Sequence, residues 1–122
     1  MQSPFGTIPV SQTAVLHDLM AVIESRRRER PPHSYVVQLL DGGLSRITAK
    51  IDEEAGELAS AAAEPASERT PHVIHEAADL VFHLLVLLGW ADVPWSAVET
   101  ELARRFGVGG LHEKASRSES SP

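Results

Sequence analysis

The 122-residue chain contains no cysteine. That excludes a disulfide scaffold, thiolate catalysis and cysteine-based zinc sites, and it is compatible with a reducing, cytoplasmic setting. Long apolar runs are also missing. The longest, Leu80 to Leu88, covers nine positions and includes His83, against the roughly 18 that a membrane helix needs, so no membrane partner is expected. Met1 to Ser11 shows no basic residue followed by an apolar stretch, and no signal peptide is visible. Bases are outnumbered, 11 against 17 acids, for a net charge of −6 at pH 7. That balance argues against a nucleic-acid partner and would repel a polyphosphate unless cations intervene. No segment sustains period-two alternation, no repeat is present, and the glycine motifs of P-loops, dinucleotide folds and nucleophile elbows are absent.

What is present reads as helix. Hydrophobic residues make up 43%, enough for one globular domain. Residues 1–12 form an irregular arm containing Pro4, Gly6 and Pro9. From Thr13, Val15, Leu16, Leu19, Met20, Val22 and Ile23 recur at helical steps, and the basic run Arg26, Arg27, Arg28 and Arg30 closes the segment before Pro31-Pro32. Those arginines suit either phosphate or the negative end of a helix dipole. Ser34 is placed to cap a short helix through Leu40, and Asp41-Gly42-Gly43 breaks it. Leu44, Ile47, Ile51, Ala55, Leu58 and Ala62 then mark one face of a helix ending near Glu64-Pro65. Thr70-Pro71 predicts the start of the next helix after a polar loop over 65–69, running to about Leu88. A last helix follows Asp92 to Pro94, with Trp95, Val98, Leu102 and Phe106 on one face and Gly107 ending it. Leu111 to Arg117 suits one or two turns, and residues 118–122 read as a disordered tail. The class is therefore all-α: residues 13–117 form an antiparallel bundle of four to five helices. Because Leu80 to Leu88 is apolar almost all round, a homodimer is expected.

The chemistry concentrates in two acidic stretches, Lys50-Ile51-Asp52-Glu53-Glu54-Ala55-Gly56-Glu57 and Glu76-Ala77-Ala78-Asp79. At 100° per residue, Glu54 lies beside the apolar stripe of Ile51 and Leu58, and Glu76 shares a face with Leu80, His83 and Leu87. Glu54/Glu57 and Glu76/Asp79 are i,i+3 pairs, so each can converge on one point. A carboxylate near a core must be paired, protonated or bound to a cation. Only Lys50 is locally available to offset four clustered acids, and a hard divalent cation such as Mg²⁺ accepts several carboxylates. The competing reading is a solvated acidic face. His72 and His75 with Asp79 have a spacing suited to a transition metal, although scattered histidines without cysteine more often cap or face solvent. No Glu has a His three residues later, which excludes a ferritin-like di-iron motif. His83 reads as a hydrogen-bonded core or rim residue.

These stretches resemble the all-α nucleotide pyrophosphatases that include the MazG type, and among them the phosphoribosyl-ATP pyrophosphohydrolase family. Four segments carry the resemblance: Ser34 to Leu40, Lys50 to Ala55, Glu76 to Leu88 and Gly110 to Arg117. The resemblance implies Mg²⁺-dependent hydrolysis of phosphoribosyl-ATP to phosphoribosyl-AMP and pyrophosphate, the second step of histidine biosynthesis, with Mn²⁺ as a substitute ion. It implies metal ligation by Glu54, Glu57, Glu76 and Asp79, activation of water by Glu53, and substrate phosphates held by Lys50, Lys114 and Arg117. A house-cleaning nucleoside triphosphate pyrophosphatase shares the acidic signature, and a non-catalytic helical dimerisation module is the alternative of another class.

Overall fold

The sequence supplies each helix with a recognisable start or stop, and the structure, a computed structural model that describes residues 14–106, uses most of them. Helix α1 (Val15–Glu29) ends at Arg30, which turns left-handed (φ 51°, ψ 54°) and donates its N–H to the Arg26 carbonyl. Pro31 disfavours a helical conformation for Arg30, so the chain leaves there. The arginine run is structural at two positions. Arg27 reaches both Glu24 and Asp92 at 3.0 Å, and Arg30 pairs with Asp41.

Helix α2 (Tyr35–Ala62) is capped by Ser34, whose Oγ accepts the Val37 N–H. The expected break at Asp41-Gly42-Gly43 is a sharp corner within this element and not a loop between two helices. Gly43 adopts φ 79°, ψ −176°, a region open essentially to glycine alone. The inward line beyond the corner is Ile47, Ile51, Glu54, Leu58 and Ala61, while Leu44, Ala55 and Ala62 face out. The predicted stripe is thus corrected by a rotation about the helix axis that puts Glu54 on the inward line itself.

Helix α3 (Ala66–Trp90) starts earlier than Thr70-Pro71 predicts, and the expected polar loop over 65–69 is mostly its first turn. The Pro65 carbonyl accepts the N–H groups of Glu68 and Arg69, and Arg69 Nε donates to the Glu64 carbonyl at 3.1 Å. This first turn is fastened from the preceding residues, so Pro71 falls inside the helix, one turn past its start, where it forgoes the backbone hydrogen bond to the Ser67 carbonyl. Helix α4 (Trp95–Phe106) completes the bundle. Gly107, the turns expected over Leu111 to Arg117, the arm over 1–12 and the tail over 118–122 lie outside the described residues.

The four helices form an all-α bundle, with no strand among the described residues. The core joins Met20 and Ile23 of α1, Val36, Leu39 and Ile47 of α2, and Leu85 and Val86 of α3, with Trp95 of α4 at its edge. Gly89 lets α1 approach closely, since a Cβ there would meet Ile23 Cγ2 at 3.0 Å. One copy leaves part of α3 uncovered: Leu84 is 37%, Trp90 43% and Ile74 65% exposed. Although its uninterrupted apolar run is short, α3 is long and apolar enough to cross a membrane by length and composition alone. Its His83, Leu85 and Val86 instead pack into the bundle.

Candidate metal centre

The rotation of α2 carries Glu54 into its contact with α3, where only 6% of the residue is exposed. Burial, above all, pushes the Glu54 carboxyl up to about 7, and the neighbouring Glu57, Asp79 and Glu76 act in the same direction. Glu76 is also raised, first through its contact with Glu57 and then through burial and repulsion, with His75 opposing. Oxygen Oε2 of Glu54 and Oε2 of Glu76 are both buried without a hydrogen-bond partner. Each glutamate faces the Glu57 carboxylate, another acceptor, so a hydrogen bond among the three exists only where they share a proton.

Glu54, Glu57 and Glu76 present oxygens that all lie within 4.8 Å of one another. A second set meeting the same criterion joins Glu76 to His75 and Asp79, with His75 Nε2 3.3 Å from Asp79 Oδ2. The four predicted ligands therefore fall into two overlapping sets that share Glu76, with Glu54 and Glu57 in one and Asp79 on the histidine side. Buried acceptor oxygens that lack donors, in a cluster of like charges, fit a hard divalent cation. His72 points elsewhere, toward Glu64.

The cluster separates two open volumes. On one side is a groove of about 770 Å³ lined by Glu53, Glu57, His75 and Glu76. On the other is a largely apolar cavity of about 700 Å³, walled by Leu16, Leu19, Tyr35 and Phe82 and bordered by Glu54, Asp79 and His83. Glu53 lies outside both cation sets and is bound by Lys50 Nζ at 3.2 Å, a contact that holds the Lys50 ammonium above its ordinary pKa. Lys114 and Arg117 lie outside the described residues.

Two residues that the acidic pattern does not reveal stand behind the cluster. His83, 4% exposed, places Nδ1 2.9 Å from the Asp79 carbonyl and 3.7 Å from Glu54 Oε1. Tyr35 Oη is 3.2 Å from its Nε2. Burial holds the imidazole pKa below its usual value. Tyr35 and Glu54 are nineteen residues apart and would be about 28 Å apart on a straight helix. Both meet one imidazole because the chain turns at Gly43. Spacing alone revealed neither contact. For His75, the i,i+4 step to Asp79 was the available signal.

The phosphoribosyl-ATP pyrophosphohydrolase family model matches residues 16–106. The chain belongs to this family. The family match takes in both acidic stretches and all of α2, α3 and α4. Similar proteins include one from Rhodopirellula baltica named phosphoribosyl-ATP pyrophosphatase, 47% identical over 102 residues, which are 84% of this chain and 85% of that protein. Another of the same name, from Novosphingobium aromaticivorans, is 48% identical over 85% of this chain and 94% of its own. A third, from Nitrosomonas eutropha, is 39% identical over 92% and 93%.

Proposed function

We propose that this chain hydrolyses phosphoribosyl-ATP between its α and β phosphates, releasing phosphoribosyl-AMP and pyrophosphate, as an enzyme of histidine biosynthesis. Family membership and the names of its relatives support the substrate. The observation that carries the chemistry is the pair of buried, partnerless oxygens on Glu54 and Glu76 within one cluster of acids. In this reading Glu54, Glu57, Glu76 and Asp79 hold Mg²⁺, with Mn²⁺ as a substitute. When bound, the ion supplies charge neutralisation and Lewis acidity toward phosphorus.

The residues then divide the work by position. The acidic groove takes the polyphosphate, and the apolar cavity beside Glu54 and Asp79 takes the nucleoside end. Glu53, open to the groove, accepts the proton of the attacking water. Lys50, Lys114 and Arg117 offset charge that develops on the departing pyrophosphate. A second copy covers the exposed apolar side of α3, giving a cytoplasmic homodimer with neither a nucleic-acid nor a membrane partner. The deciding experiment is pyrophosphate release from phosphoribosyl-ATP, measured beside dCTP and dUTP. Release from phosphoribosyl-ATP that EDTA abolishes and Mg²⁺ restores is expected. Undiminished turnover in metal-free buffer would overturn the cation assignment, and preference for dCTP or dUTP would overturn the substrate.

A further inference from the structure

His83 touches the acidic cluster from behind, and Tyr35 touches His83, without either belonging to the cluster. We propose that they are positioning residues: Tyr35 Oη donates to His83 Nε2, which fixes the Nδ1 proton on the Asp79 main chain and sets the ring edge against Glu54. This rests on the reading of the cluster as a cation site.

The proton's location follows from the partners. Nδ1 lies 2.9 Å from a carbonyl oxygen, which can only accept, so Nδ1 carries the hydrogen. Nε2 of the neutral ring is then a lone pair, and the Tyr35 hydroxyl 3.2 Å away is its donor. The ring is held edge-on between Phe82, with centroids 5.0 Å apart, and Tyr35, at 6.1 Å. Glu54 Oε1 lies 3.7 Å from Nδ1, in contact but beyond hydrogen-bond distance, while Oε2 has no hydrogen-bond partner. A ring that donates from Nδ1 and accepts at Nε2 carries a dipole and no net charge. Packed against Glu54, it backs that carboxylate without cancelling the negative charge that a cation requires. Through the Asp79 carbonyl the same proton secures the turn of α3 that carries Glu76 and Asp79.

Outer partners of ligating groups commonly alter metal affinity by about 10–100-fold. The test is Mn²⁺ titration of the metal-free full chain by electron paramagnetic resonance, with melting temperature recorded on each variant. Glu54→Gln should weaken Mn²⁺ binding. His83→Leu should weaken it by about 10–100-fold. His83→Asn, whose amide nitrogen can take the place of Nδ1, should recover most of that loss. Tyr35→Phe, which removes one oxygen, should give a smaller loss with the melting temperature of the metal-free protein nearly unchanged. ¹H–¹⁵N spectra of the wild-type His83 ring should show the proton on Nδ1.

Wild-type affinity in both His83→Leu and Tyr35→Phe, while Glu54→Gln loses it, would refute the positioning role. So would equal affinities in His83→Asn and His83→Leu, or a proton on Nε2. Unchanged affinity in Glu54→Gln would refute the cation site itself, and the positioning role with it. If His83→Leu does not fold, Tyr35→Phe and the ring spectrum still decide.

Discussion

Replacing Glu54 by glutamine should stabilise the metal-free protein, and only above a definable pH. The ordinary carboxyl value of 4.5 rises to about 7 in the fold, chiefly through burial. Below 4.5 the group is protonated in both folded and unfolded chains and costs nothing. Between 4.5 and 7 the unfolded chain ionises while the folded one resists, so stability falls as pH rises. Above 7 both are ionised, and the full penalty remains. At about 1.4 kcal/mol per pKa unit, it amounts to roughly 3.5 kcal/mol. Glutamine keeps the shape and cannot ionise. Urea unfolding in EDTA from pH 4 to pH 8.5 should therefore show matched stabilities for wild type and Glu54→Gln at the acid end. The gap should widen in favour of the variant up to pH 7 and then level off. Added Mg²⁺ should reverse the order at pH 8. A ligand that binds only the folded state contributes about 4.1 kcal/mol at 1,000 times its Kd, more than that penalty, and the variant should gain much less. A variant less stable than wild type at pH 8 without metal, or a gap independent of pH, would refute the reasoning.

Glu54→Gln, Glu57→Gln, Glu76→Gln and Asp79→Asn should each lower pyrophosphate release by at least ~10²-fold while remaining folded by circular dichroism; near-native turnover in Glu54→Gln and Asp79→Asn would remove the metal assignment. Gly43→Ala should cost about 1–3 kcal/mol in urea unfolding, because its φ of 79° and ψ of −176° suit glycine alone; an unchanged midpoint would contradict that. Light scattering should report twice the 13.2 kDa chain mass, and Leu84→Glu on the uncovered side of α3 should shift the protein toward monomer; a stable wild-type monomer would exclude the dimer.

Periodicity made much of this architecture legible. Ile47, Ile51 and Leu58 step around a helix as expected, and the same 100° rotation predicted that Glu54 would approach the core although an isolated acidic motif reads as surface. The α3 start differs from the sequence expectation because Thr70-Pro71 is a strong local signal, whereas the first turn is closed by the Pro65 carbonyl and by a contact to Glu64. The rotation of α2 was legible only to within one position, since the side facing α3 depends on the corner before it. Asp41-Gly42-Gly43 marks a break but carries no direction. The meeting of Tyr35 with His83 depends on that direction and has no signature in spacing.

The corner at Gly43 also divides α2 into stretches with unequal tolerance for length change. One residue added between Gly43 and Glu54 would turn the acidic face by 100° and advance it by about 1.5 Å, sending Glu54 toward solvent while Tyr35 stayed on His83. The same addition between Ser34 and Gly43 would swing Tyr35 off the imidazole and leave the acids in register with α3. Past Ala62 the chain is already turning into the next helix, and an extra residue there would lengthen the connection without rotating either acidic face. Natural length variation should therefore concentrate after Ala62 and be rare between Gly43 and Glu57.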